Sequence, residues 1–329
     1  MDRRGHLARS LTRVSIAASL LLATSCVSDA GSWVHDLFVP APKPRPVDEL
    51  VEPHPDIASR DLFWGVGGRE RAPEPDAAYH FIEKKTAGFS DNFVIEDPSG
   101  RRYNAKIGHE AQTEVAASRL LWAIGFYQPP VYYVRHWQMS DGPEAGVAQP
   151  HARFRFYDPA WKSKSIWSWK DNPFVGTREL NGLIVMQVLM NSWDLKSSNN
   201  EVYERRGEHP GRVYIVKDLG QSFGNSVRFF LGGLNNPDAF AKEPFILRVN
   251  HDQKVYFRFE PIILNWGIDR DLHVDDVLWT CRRLERLSDE QWNDAFRAAG
   301  YSDRQVAAFV EQMKRKLREG LALEQRARS

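Results

Sequence analysis

The feature that most limits the fold is a nearly all-apolar run, Leu183-Ile184-Val185-Met186-Gln187-Val188-Leu189-Met190. It empties directly into the polar loop Trp193-Asp194-Leu195-Lys196-Ser197-Ser198-Asn199-Asn200. Glu201-Val202-Tyr203 then resumes an apolar-polar alternation. A run without strand alternation reads as a buried helix, and the polar stretch after it reads as a loop returning as a strand. The loop gathers a carboxylate, an ammonium and a side-chain amide within six residues. A second strand, Val213-Tyr214-Ile215-Val216, leads in the same way into Lys217-Asp218-Leu219-Gly220, where the glycine would let the chain turn away. The chain therefore delivers two short polar loops, one hairpin apart, from the ends of buried elements.

At 329 residues with 42% hydrophobic side chains, the chain is able to bury a substantial core as one large domain or two lobes. The formal charge of +1 conceals an asymmetry, because residues 1–25 hold Arg3, Arg4, Arg9 and Arg13 against only Asp2. The remainder carries 40 basic and 42 acidic side chains, which gives no electrostatic case for binding nucleic acid.

Residues 1–25 read as a signal peptide: an Arg-rich start, an apolar core over 14–23 too short for a comfortable membrane span, then small residues. Ala23-Thr24-Ser25-Cys26 resembles the lipobox of bacterial lipoproteins. That resemblance implies a lipidated Cys26, membrane attachment, and a place in the bacterial cell envelope facing the periplasm or exterior. With Cys26 lipidated, Cys281 has no disulfide partner and reads as a core residue. Residues 26–76 read as a tether, since Pro40, Pro42, Pro44, Pro46, Pro53, Pro55, Pro73 and Pro75 favour an extended, semi-rigid spacer. Within it, Asp61-Leu62-Phe63-Trp64-Gly65 is apolar enough to dock on the folded body.

From residue 77 the pattern changes. Strands are expected over 81–84, 93–96 and 103–106, with a loop at 86–92 and the turn Asp97-Pro98-Ser99-Gly100. Helical spacing over 110–124 places Ala116, Leu120 and Ile124 on one stripe, and Gly125 is positioned to end it. Two more strands are expected over 131–137 and 152–157.

The order Lys106, Glu114, Asp194, Asn199, Asp218 resembles the protein-kinase-like superfamily, in its HipA-type and phosphoinositide-kinase-like branch. The resemblance spans residue 81 to the final helices and rests on Asp194-Leu-Lys-Ser-Ser-Asn199 and Asp218-Leu-Gly220. It implies an α+β, two-lobed fold, with residues 77–158 as a small lobe of strands plus one helix and 159–329 as a larger, mainly helical lobe. It implies phosphoryl transfer from ATP or another nucleotide, with Mg2+, to an unknown protein or small-molecule hydroxyl. Asp194 would be the base or hydroxyl-orienting group, and Lys196 would meet the transferred phosphoryl. Asn199 (or Asn200) and Asp218 would hold the metal. Lys106 would approach the phosphates, steadied by Glu114 (or Glu110). Gly88 and Ser90, in a loop without the three-glycine pattern, would offer backbone N–H groups to phosphate. The chain departs from the family where Ser192-Trp193 replaces His-Arg and where no Ala-Pro-Glu occurs, which argues against an ordinary peptide substrate. A pseudokinase acting as a binding module shares the same residues.

A rival reading uses Gly220-Gln221-Ser222-Phe223-Gly224 as a serine-hydrolase elbow, with Asp269 and His273 as later partners. Lys217-Asp218 would crowd such a turn, and the alternating strand–helix units of that fold are missing upstream. Elsewhere the sequence reads as structural. Trp161, Trp167 and Trp169 sit in a Ser/Lys-rich linker as packing residues, and Ser288 and Ser302 open two helices. Lys314, Arg315, Lys316 and Arg318 suit the negative end of a helix. The histidines lack zinc-ligand spacing.

Overall fold

A computed structural model describes residues 46–74, 76–85, 90–207, 210–225, 233–259 and 267–327. The predicted signal peptide, Cys26 and Gly88 lie outside these residues. Strands β1 (Ala78–Lys85), β2 (Asn92–Glu96) and β3 (Arg102–Ile107) precede helix α1 (Glu110–Ala123). Strands β4 (Val131–Val134), β5 (Trp137–Met139), β6 (Ala148–Gln149) and β7 (Ala152–Phe156) come after it. They form one seven-stranded sheet in the order β4-β7-β3-β2-β1-β5-β6, antiparallel except for β1 against β5. Helix α1 ends where the stripe ends, with Ile124 as its cap and Gly125 at φ +106°, a conformation that favours glycine.

Register decides what each face of this sheet is for. Tyr103, Ala105 and Phe154 join Tyr79, Phe93, Ile95, Trp137 and Met139 in an aromatic cluster on one face. Lys106 lies opposite Arg153, and Asn104 opposite Arg155, so these four polar residues share the other face. That face looks toward α1 and the rest of the chain.

The second half of the Pro-rich stretch does not stand off from the body. Leu50, Val51, Ile57 and Leu62 are buried in the main core. The hydroxyls of Tyr79, Tyr103 and Tyr132 donate to the carbonyls of Glu74, Arg71 and Gly68 at 3.1, 3.1 and 2.9 Å. Gly65 approaches Arg119 so closely that a Cβ would meet its guanidinium at 2.2 Å. Proline content alone suggests a spacer, but the apolar residues punctuating it bind it to the sheet and to α1.

Beyond the sheet, β8 (Trp161–Ser165), β9 (Asn200–Arg205) and β10 (Gly211–Val216) make a three-stranded sheet in the order β10-β9-β8. The segment holding Trp161 is therefore a strand and not a linker. Its Lys and Ser side chains are exposed on both faces, so no alternation reveals it. Trp167 and Trp169 are buried against each other, as packing residues would be. Helix α2 (Arg178–Leu189) is the expected apolar run, capped by Thr177, whose side chain accepts from the Leu180 N–H. The chain continues through α3 (Pro237–Ala241), β11 (Ile246–Val249), β12 (Val255–Phe257), α4 (Val274–Leu284), α5 (Asp289–Arg297), α6 (Asp303–Leu321) and α7 (Leu323–Ala327). Capping boxes at Ser288 and Ser302 open α5 and α6. The result is a mixed α and β molecule whose principal core is built on α1, α2, α4, α5 and α6.

One expected surface cation is not on the surface. Lys316 is 1% exposed and donates to the Leu189 carbonyl at 3.0 Å, at the end of α2. Amphipathic spacing places it on the inner face of α6 between Met313 and Gly320, where a cationic side chain satisfies another helix's free carbonyl. Cys281 is buried, as expected, against Gly320.

Candidate active site

Two loops meet beneath the polar face of the large sheet. The first leaves α2 through Asn191, at φ +51°, and crosses Asp194 and Lys196 before a short 3-10 turn, Ser197–Asn199. The second leaves β10 at Asp218, itself left-handed at φ +60°, and passes into the 3-10 turn Leu219–Gln221. They are tied together where they start. Lys217 N–H donates to the Asn199 carbonyl at 2.9 Å, and Phe223 N–H to the Met190 carbonyl at 2.8 Å.

Gly220 does not free the chain to turn, because Asp218 and Phe223 take the positive φ values. It instead allows close approach, since a Cβ there would lie 2.5 Å from the Glu110 Cβ of α1. Thr113 of α1 completes the contact by donating to the Gly220 carbonyl at 2.6 Å.

Lys106 spans the two halves. Its ammonium pairs with Asp218 and, at 2.8 Å, with Glu110. Burial would lower its pKa, but Glu114, Asp218 and Glu110 together push it up, so it stays charged. The contact partner is thus Glu110. Glu114 is gripped by Arg153 and Arg155 at 3.0 and 2.7 Å. Burial raises the Glu114 pKa, yet Arg153, Arg155 and Lys106 outweigh it and hold the carboxyl at about 2. The two arginines carry no recognisable motif; their opposite-register placement on β7 across from Asn104 and Lys106 is what brings them here.

Asp194 is deeply set. One oxygen accepts from Lys196 at 3.2 Å, while Oδ1 is buried with no hydrogen-bond partner. Burial raises its pKa, Lys196 opposes that, and Asp218 adds to it. Asn199 folds back so that its amide donates to the Asp194 carbonyl at 2.9 Å. Asn200 turns the other way, into the core, donating to the Trp167 carbonyl at 3.1 Å. Between the two asparagines, only Asn199 faces the loop. Ser90 lies at the cleft end of β3, its hydroxyl 3.8 Å from where a Cβ on Gly108 would sit.

No family model matches the chain, and no curated protein matches it. Two solved structures that do match are kinases. One is a proinflammatory kinase of Helicobacter pylori, CtkA, at a TM-score of 0.45 and 10% identity, covering 75% of this chain and 96% of that one. The other is the Rio2 kinase of Chaetomium thermophilum, in an ADP/Mg2+-phosphoaspartate complex, at a TM-score of 0.32 and 15% identity over 76% and 72% of the two chains. Likeness at this level carries no argument by itself, so the reading rests on the side chains above.

The hydrolase alternative finds little support. Ser222 is fully buried, donates to the Leu219 carbonyl at 2.8 Å, and has an ordinary φ of −105°. A nucleophile must reach solvent on a strained turn.

Proposed function

We propose that this chain is a kinase-like phosphotransferase that takes a phosphoryl group from ATP or a related nucleotide with Mg2+. What supports this reading is contact: Lys106 of β3 pairs with Asp218, the Lys217 N–H beside Asp218 donates to the Asn199 carbonyl, and the Asn199 amide donates to the Asp194 carbonyl. The donor set suits such a metal. Among the described residues no group of three or more His, Cys, Asp or Glu could hold an ion unaided. The Asp218 carboxylate and the Asn199 amide oxygen form the incomplete set that a hard cation fills with phosphate oxygens and water. The buried, unpartnered Oδ1 of Asp194 is an acceptor left over by the protein.

Asp218 and Asn199 would hold the ion, whose role is to neutralise charge on the phosphates. Asp194 holds the acceptor hydroxyl and its proton at Oδ1, with Lys196 balancing its charge. Lys106, already between lobes, meets a phosphate. The absence of His-Arg before Asp194 favours an acceptor other than an ordinary peptide. With Cys26 lipidated, the site would work at a membrane of the cell envelope, and mass measurement of the mature N-terminus tests that. Among the described residues no helix is long and apolar enough to cross a membrane.

A second reading, a binding module without catalysis, draws on the direct Lys106–Asp218 pair, in which each group already satisfies the other. Thermal unfolding separates the two. Mg·ATP should stabilise the protein in a manner that Asp218→Ala abolishes. No stabilisation in the wild type would sink the phosphotransfer reading.

A further inference from the structure

The cleft holds more cations than the motifs account for. On the polar sheet face, Arg153 is shut in: 3% exposed, bonded to the Asn104 side chain and carbonyl at 2.9 and 3.1 Å, and paired with Glu114. Arg155 is not. Its Nη2 meets Glu114 at 2.7 Å and the side chain keeps 18% exposure, although its Nε, like that of Arg153, is buried with no acceptor. Across the cleft stands Lys217, the residue before Asp218, 25% exposed and paired with Glu201. Glu201 is itself fixed by the Ser163 hydroxyl of β8 and by the Tyr203 hydroxyl at 2.8 Å. Burial and the Arg155 charge lower the Lys217 pKa, against the opposing Glu201 and Asp218 carboxylates. Replacing a buried ion network by packed apolar groups is often neutral or stabilising. This network instead holds the ammonium of the residue next to Asp218, while Arg155 shares the sheet face of Lys106, which itself pairs with Asp218.

We propose that Arg155 and Lys217, together with Lys106, form an anion site built for a polyphosphate chain, the triphosphate of the phosphoryl donor. The inference rests on the phosphotransfer reading and adds to it the residues that grip the donor. It also accounts for a loop at 86–92 without three glycines: side-chain cations from β3, β7 and the end of β10 supply what backbone N–H groups supply elsewhere. Arg155 offers a planar donor pair and Lys217 a point charge. The pairing with Glu201 fixes where the Lys217 ammonium sits.

The test is titration calorimetry of the full chain with inorganic tripolyphosphate and Mg2+. Lys217→Met is combined with Glu201→Gln so that no lone carboxylate is left buried. A lost charge-assisted contact is expected to weaken binding roughly 10- to 100-fold. Arg155→Gln, which leaves Glu114 to Arg153, forms an independent arm with the same expectation should the double variant not fold. Lys162→Met removes an exposed charge from β8 and should leave affinity unchanged. Wild-type protein that takes up no tripolyphosphate overturns the proposal, as does unchanged affinity in folded Arg155→Gln or in the double variant. The two readings separate cleanly. Tripolyphosphate binding that depends on Lys217, without Mg·ATP stabilisation, supports the anion site and removes the nucleotide. Mg·ATP stabilisation that depends on Asp218 but not on Lys217 or Arg155 does the reverse.

Discussion

Lys316→Met offers a quantitative test of the burial argument. The ammonium sits over the Phe240 ring at 4.2 Å and touches the Leu189 carbonyl, with no carboxylate in contact among the described residues. Burial, assisted by Arg315 and opposed by Glu243 and Glu319, lowers its pKa from 10.5 to about 7. The unfolded chain therefore binds the proton more tightly. Between about pH 7 and 10.5 the unfolded state carries more protons, so the native state gains stability as pH rises through that window. Below about pH 7 both states are protonated and the penalty is complete, on the order of 5 kcal/mol at about 1.4 kcal/mol per pKa unit. Methionine keeps the length and removes the titration. Urea unfolding of both proteins at about pH 6 and about pH 9 should show the wild type gaining about 2.5 kcal/mol on the variant over that interval. Parallel pH dependences, within about 0.5 kcal/mol, would refute the claim that Lys316 is charged only at a cost inside the fold.

The other predictions concern the cleft and its supports. Glu114→Gln leaves Arg153 and Arg155 facing each other in a buried site and should cost about 3–5 kcal/mol of unfolding free energy; a loss below about 1 kcal/mol would show that the two arginines reach solvent. Gly220→Ala places a methyl against Glu110, so α1 must shift; we expect about 1–3 kcal/mol of destabilisation and a diminished Mg·ATP shift in thermal unfolding. Gln291→Ala removes an amide that donates to the Ile57 and Arg60 carbonyls at 2.8 and 2.9 Å, and limited proteolysis should then cut 46–74 faster, whereas an unchanged rate would mean the segment is held elsewhere. Tyr103→Phe should cost about 1 kcal/mol by denaturant unfolding through loss of its bond to Arg71.

Much of the element order was legible, because it depends on local signals. The stripe of α1, the cap at Gly125, the apolar run of α2 and the turns around Asp97 and Ser288 are all short-range patterns with short-range physics. The β8 strand was not legible: Lys162 and Lys164 are exposed, and only backbone pairing with β9 makes it a strand. The Pro-rich stretch misleads for a related reason, since what holds 46–74 is the burial of Leu50, Val51, Ile57 and Leu62 among residues far along the chain, with distant tyrosine hydroxyls and one glutamine.

By itself the amino-acid order determined which chemical groups sit at the ends of buried elements: Asp194, Lys196 and Asn199 after α2, and Asp218 after β10. Only the tertiary structure decided that Glu110 and not Glu114 touches Lys106, that Asn200 turns into the core, and that Arg153 and Arg155 grip Glu114. Spacing along a chain specifies neighbours within a turn or a hairpin. Which of two carboxylates one helical turn apart reaches a lysine on a strand depends on how helix and sheet pack, and that is set by contacts between residues far apart in sequence.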